Sequence, residues 1–150
     1  METHRPALSE ARALLNAAGL PTRDLSETLL AHFVARRVNG EVVAIGGLEP
    51  FGEFGLLRSV VTRPDSQGQG LAAAIVMDLE HAAAVAGIRE LYLLTETAAD
   101  WFRRRGYDDA ARESAPDAIR ASRQFSTLCP DSAALLHKTL QRSASTTGSR

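Results

Sequence analysis

The chain has 150 residues, 45% of them hydrophobic, which suits one domain with a sizeable core. A formal net charge of -1 and a pI of about 6.4 give no general attraction to nucleic acid or to an anionic membrane. One cysteine, Cys129, excludes an internal disulfide and suits a reducing cytoplasm, and the polar start Met1 to Pro6 leads into no signal-length or membrane-length apolar run.

In chain order, Ser9-Glu10-Ala11-Arg12 opens a helix with an N-cap type residue, and Gly19 and Pro21 end it after about Ala18. A second helical piece is expected near Leu25 to His32. Phe33 to Val38, Asn39-Gly40 and Glu41 to Gly47 read as a tight β-hairpin. Pro50-Phe51-Gly52 turns the chain into an apolar strand with Leu56, Leu57, Val60 and Val61, which Arg63-Pro64-Asp65-Ser66 ends. From near Gly70, Leu71, Ile75, Leu79, Ala82, Ala83 and Ala86 recur at helical spacing, and Gly87 is the stop. Glu90 to Thr95 is an apolar strand, parallel to the previous one because a helix joins them. Ala98 to Arg105 is a short helix stopped by Gly106, and Tyr107 to Arg112 a strand. Ser114 to Asp131 is the least patterned stretch, with a short helix around Pro116 to Ser122. Ala133 to Leu140 reads as a closing strand with helix as the alternative, and 141–150 is a small, polar, disordered tail, leaving 1–140 as a single domain.

The stretch Leu56 to Ala86 carries the functional signal. A strand feeding a glycine loop that opens a helix can hold phosphate: Gly68 and Gly70 let the backbone approach an anion, and the unpaired N–H groups of the first turn point at it. The loop has no lysine, which excludes a Walker A nucleotide site. Gly68-Gln69-Gly70-Leu71-Ala72-Ala73 also fits the dinucleotide pattern G-x-G-x-x-A, with Glu96 near the end of the next strand. The polar loop from Thr62 to Gly68 is too long for the tight turn of that fold, and a long segment precedes the supposed first strand.

Gln67-Gly68-Gln69-Gly70-Leu71-Ala72 matches the Q/R-x-x-G-x-G/A signature of the GNAT superfamily of acetyl-CoA-dependent N-acetyltransferases, which the chain resembles. Ala98-Ala99-Asp100-Trp101-Phe102-Arg103-Arg104-Arg105-Gly106-Tyr107 is similar to that family's A-x-x-aromatic-aromatic-x-x-x-G-aromatic segment. Gly47 to Gly52, Leu56 to Ser59 and Leu91 to Thr95 resemble, more narrowly, acetyltransferases encoded in arsenic-resistance operons. The resemblance implies a mixed α/β fold: a mostly antiparallel central sheet whose two parallel central strands splay apart, flanked by helices. It implies acetyl-CoA as donor, a small-molecule amine as acceptor and common dimerisation.

Carried over by motif position, Val60 and Thr62 would pair with the pantetheine arm through their backbones, with Val61 adjacent. Gln67, Gly68, Gln69, Gly70, Leu71, Ala72 and Ala73 would hold the pyrophosphate. An N–H near Val60 would steady the oxyanion. A carboxylate must deprotonate the attacking amine. Glu49 and Glu53 are the candidates, set against an exposed turn beside Pro50 and Gly52, and Glu96 is a weaker third. Phe102 stands where many members place a proton-donating tyrosine, and Thr95 where asparagine is usual; Thr95 could contact the arm or order a water. Thr62 replaces a commoner valine. Arg105 is the member of Arg103-Arg104-Arg105 nearest in expectation to the cofactor, the run otherwise being an exposed helix face.

Arg58 would pair with an oxyanion on the substrate or, equally, with Glu49 or Glu53; for Arg120 and Arg123 a solvated face is the simpler reading. Cys129 reads as an inert thiol, and His4, His32, His81 and His137 lack metal-ligand spacing, so no metal is expected. The expectation is an N-acetyltransferase acting on a small, amino-acid-like or arsenic-linked amine. A non-catalytic acyl-CoA sensor or interaction module that lost its acid at Phe102 is the alternative, with a Rossmann nucleotide-binding domain behind it.

Overall fold

In the computed structural model the structure describes residues 5–123, 125 and 132–140. His4, Cys129 and the tail expected over 141–150 lie outside the described residues.

Helix α1 (Leu8–Ala17) starts one residue before Ser9, because Glu10 reaches back to accept the Ala7 N–H at 2.8 Å. Helix α2 (Glu27–Leu30) is one turn, shorter than expected; Ser26 caps it, its Oγ accepting from the Leu29 N–H at 3.1 Å. Strands β1 (Phe33–Val38) and β2 (Glu41–Phe51) form the expected antiparallel hairpin about Asn39 and Gly40, both with positive φ. β2 runs through Pro50 and Phe51, so the next turn is Gly52-Glu53 rather than Pro50 to Gly52.

Strand β3 (Phe54–Thr62) leads to α3 (Leu71–Val85), β4 (Glu90–Thr95) and α4 (Ala99–Arg103). The strand expected over Tyr107 to Arg112 shrinks to β5 (Asp108–Asp109): Tyr107 is buried edge-to-face against Phe102, and Arg112 to Ser114 forms a 3₁₀ turn. Helix α5 (Asp117–Arg120) lies within the stretch expected to be helical. Strand β6 (Ala134–Thr139) settles the helix alternative, since it pairs along the whole of β4.

The six strands form one mixed sheet in the order β1-β2-β3-β4-β6-β5. β3 and β4 are its parallel pair; their ladder joins Phe54–Leu57 to Glu90–Leu93 and ends there, although β3 continues to Thr62 and β4 to Thr95.

The chain forms two compact units. The first comprises the described residues up to Glu49 together with Arg58–Glu80. In it Ala11, Leu14, Leu15, Leu25 and Leu30 from α1, α2 and their linker pack on Phe33, Ala35 and Ile45 of the hairpin, with Val61 against the same cluster. Each such leucine contributes about 1.5–3 kcal/mol by leaving water. On the other side of the sheet a Cβ at Gly46 would lie 2.6 Å from Ile75 and 3.3 Å from Val60, which places Val60 on the face that α3 covers.

Strict alternation would put Arg58 and Val60 on one face. Arg58 instead shares the α1–α2 face with Val61, lying over the Phe33 ring at 5.9 Å. The break falls at Ser59, whose φ of 60° is left-handed, and β3 spends one residue more than β2 between the Gly52-Glu53 turn and the Val43–Arg63 pair. This is a β-bulge.

The second unit comprises Pro50–Leu57 and the described residues from His81 onward. Its core gathers Leu56, Tyr92, Ala115, Ile119 and Leu135. Here His137 Nε2 meets Glu90 Oε1 at 2.6 Å across the β4–β6 ladder, and the His137 ring packs on Tyr92.

Of the apolar positions read as the buried face of α3, Leu71, Ile75, Leu79 and Ala83 are buried, joined by Val76. Ala82 and Ala86 are exposed, the latter past the helix end.

Candidate functional site

The loop from Arg63 to Gly70 is built by its own hydrogen bonds. Pro64 to Ser66 form one 3₁₀ turn, closed by the Ser66 N–H on the Arg63 carbonyl at 2.9 Å. Gln67 Nε2 donates to the Thr62 carbonyl at 3.2 Å, so this side chain ties the loop to the end of β3. Gly68 (φ 83°) and Gly70 (φ 79°) are both left-handed, with open space where a Cβ would stand; the backbone angle, not crowding, calls for glycine there. The first backbone bond of α3 runs from Ala74 N–H to the Gly70 carbonyl, which leaves the Leu71, Ala72 and Ala73 N–H groups without partners inside the helix.

Arg63 is the only cation of this loop, and it is already engaged. It bonds Asp65 twice, at 2.7 and 3.1 Å, and Glu41 at 2.9 Å. These bonds, Asp65 first, raise the guanidinium above its ordinary range, and in return Arg63 holds the Asp65 carboxyl below the usual carboxylate range. An anion at this loop therefore meets backbone N–H groups and the N-terminal end of a 15-residue helix rather than a spare side-chain charge.

Val60, Val61 and Thr62 close β3 on the loop side, partly exposed. Val60 faces α3, Val61 faces the α1–α2 cluster, and Thr62 by alternation faces α3 again.

Below them lies a charged group that sequence reasoning saw in part. Arg58 has a fully buried side chain; its two terminal nitrogens meet both carboxylate oxygens of Asp24, one of them at 2.8 Å. Arg58 Nε donates to Ser59 Oγ at 3.0 Å and Nη1 to Glu49 Oε1 at 3.3 Å. The ion pair weighed for Arg58 thus includes Glu49, with Asp24 as chief partner and no bond to Glu53. Asp24 side-chain exposure is 5% and that of Glu49 is 21%, so Glu49 is the member of the trio that can meet a ligand from solvent. Asp24 went unseen in the sequence because it sits 34 residues from Arg58 in an unpatterned turn between α1 and α2.

The remaining predicted residues belong to the second unit. Glu53 is exposed on the turn that starts β3, so the whole strand separates it from the loop that follows Thr62; its carbonyl accepts from the Arg89 and Glu90 N–H groups. Thr95 Oγ1 accepts from the Ala98 N–H at 3.0 Å, which turns the chain into α4 and leaves its hydroxyl hydrogen to donate. Phe102 is buried edge-to-face between Trp101 and Tyr107. Arg105 stacks on Trp101, its guanidinium carbon 3.7 Å from the ring centroid, and donates to the Trp101 carbonyl. Arg103 pairs with Asp109 at 2.7 Å and with Asp100. Arg120 and Arg123 are exposed. Among the described residues no group of three or more His, Cys, Asp or Glu could hold a metal ion, and no helix is long and apolar enough to cross a membrane.

The profile of the acetyltransferase (GNAT) domain matches residues 29–109, more than half of the chain and the whole run from β1 to β5. The chain belongs to this GNAT family. Within it, the amino-acid acetyltransferase of Pseudomonas syringae pv. syringae is 29% identical over 103 residues, covering 67% of this chain and 24% of the relative. The amino-acid acetyltransferase of Ralstonia nicotianae is 27% identical over 97 residues, 63% of this chain and 22% of the relative. The chain thus spans about a quarter of the length of the curated relatives it matches.

Among solved structures the GNAT fold recurs in N-acetylglutamate synthase from Neisseria gonorrhoeae, complexed with coenzyme A and N-acetyl-glutamate. Its TM-score is 0.81 at 19% identity, over 94% of this chain and 35% of that one. Rv2747 from Mycobacterium tuberculosis, in complex with CoA, gives a TM-score of 0.79 at 19% identity, over 94% of this chain and all of that one.

Proposed function

We propose that this GNAT chain transfers an acetyl group from acetyl-CoA to the amine of a small, amino-acid-like molecule. The observation that carries the reading is the loop between β3 and α3: two left-handed glycines open a long helix whose first-turn N–H groups have no partners within it, and the loop's cation is spoken for. Such a loop fits the pyrophosphate of CoA, held by Gln67 to Ala73, with Val60 to Thr62 alongside the pantetheine arm.

In the proposed reaction the neutral amine attacks the thioester carbon, the C–N bond forms, the C–S bond breaks, and CoA leaves as thiolate. Glu49 takes the amine proton, directly or through water. It is preferred to Glu53 because it is the partly open member of the Arg58 cluster, whereas Glu53 lies on the turn at the far end of β3. One cation facing two carboxylates leaves the cluster with a surplus negative charge, which favours an acceptor arriving as an ammonium. Phe102 has no proton to give, so water supplies the one the thiolate takes up. Thr95 and Arg105 stand as cofactor contacts on the resemblance alone.

The names of the matched relatives support amino acids as the acceptor class, and the arsenic-operon resemblance adds arsenic-bearing amines to the panel. The buried Phe102 favours a second reading, an acyl-CoA-binding module without turnover. Thiol release from acetyl-CoA, followed with amino acids and arsenic-bearing amines beside calorimetric CoA binding, separates the two. Amine-dependent release establishes the transferase. CoA binding without release from any amine establishes the module, and no CoA binding removes both.

A further inference from the structure

Thr62 Oγ1 is buried and, among the described residues, has no hydrogen-bond partner. Folded proteins leave few such atoms, because an unsatisfied buried hydroxyl forfeits its water without compensation. Packing gives no reason for it: valine has the same shape.

The position is informative. Thr62 is the last residue of β3, on the face that α3 covers, immediately before the loop that opens that helix. Two polar backbone groups at this point are in use. The Thr62 carbonyl accepts from Gln67 Nε2, and the Arg63 N–H donates to the Val43 carbonyl at 2.7 Å. What this corner leaves over is the hydroxyl of the residue that enters the loop opening α3.

We infer that Thr62 contributes to the site through its side chain, its Oγ1 hydrogen donated to an oxygen of the bound acyl-CoA. This rests on the CoA reading above. The acceptor is an oxygen of the pyrophosphate or of the adjoining pantetheine arm. Thr62 is then a binding residue whose hydroxyl is costly in the free protein and satisfied in the complex. Affinity and stability consequently move in opposite directions when it is removed.

The test is calorimetric titration of the wild type, Thr62→Val and Thr62→Ser with CoA, and separately with pantetheine, which lacks the pyrophosphate. Thr62→Val should bind CoA about tenfold more weakly, the scale of one lost hydrogen bond, and Thr62→Ser should restore binding. The melting temperature of free Thr62→Val should rise by about 2–4 °C, or at least not fall, as the buried orphan is removed. A loss with CoA alone places the acceptor on the pyrophosphate; a loss with pantetheine as well places it on the arm; both support the inference. CoA binding by Thr62→Val at wild-type strength overturns it and leaves the CoA reading standing. A lower melting temperature of free Thr62→Val assigns the hydroxyl to the fold and also overturns it. A wild type that binds no CoA overturns the inference and the CoA reading together.

Discussion

Arg58 and Asp24 are oppositely charged, buried and joined at two points, so removal of either strands the other without a counter-charge. Arg58→Met is expected to cost about 3–5 kcal/mol in denaturant unfolding, and the double variant with Asp24→Leu to recover most of that loss. Equal instability of single and double variants would show that the pair is not the source. Glu49→Gln keeps an oxygen for Arg58 but cannot take a proton; turnover should fall about a hundredfold or more with CoA affinity unchanged, while Glu53→Gln stays near wild type. The reverse ranking would move the base to the turn. Asp65 titrates below its ordinary value because Arg63 binds its charged form. Its stabilising effect is therefore present above the unfolded-state pKa of about 3.9 and fades as pH falls through the lower folded value. Carboxyl NMR should find the Asp65 midpoint low, and Arg63→Ala should return it to the ordinary range. Residue type announced Arg58 as unusual, a charge inside an apolar run. Nothing in the sequence named Asp24, since side chains 34 residues apart meet only when the fold brings them together.

At the scale of elements, what the sequence disclosed was what is local. The β1–β2 hairpin follows from Asn39-Gly40 between two strand-forming runs, and the β3–loop–α3 segment from two glycines and a helical repeat. What it hid depends on partners elsewhere. β2 outruns its expected end with β3 beside it in the sheet, Ser59 bulges to serve a cross-strand register, and β6 is a strand because β4 lies beside it. The glycine loop supplies the prediction that belongs here. A methyl at Gly70 meets no neighbour, so Gly70→Ala should lose about 1–2 kcal/mol through its left-handed φ alone, and CoA binding should weaken as the first turn is re-aimed. Unchanged stability with intact CoA affinity would mean that the loop tolerates another path.

For the whole molecule, a net charge of -1 and a loop cation held by Asp65 and Glu41 place the work of binding a phosphate-rich donor on backbone dipoles. Short-range hydrogen bonds are screened far less than exposed charges. Calorimetry should therefore find CoA affinity changing by less than about threefold between low salt and roughly 0.5 M. A steep decline would point to surface arginines as the phosphate holders.

The bulge at Ser59 also acts as a frame marker for what lies beyond it. Were Ser59 to take plain extended geometry with no residue removed, each later side chain of β3 would change sides: the Thr62 hydroxyl would turn into the apolar packing of α1 and α2, and Val61 would take its place facing α3. Deleting the bulged residue instead leaves Val60, Val61 and Thr62 on their present faces. Working relatives one residue shorter at this point should therefore lack a left-handed residue there and keep the same faces for the three positions before the glycine loop. A functional chain that gains a residue there would need a second bulge to restore the phase before the glycine loop begins.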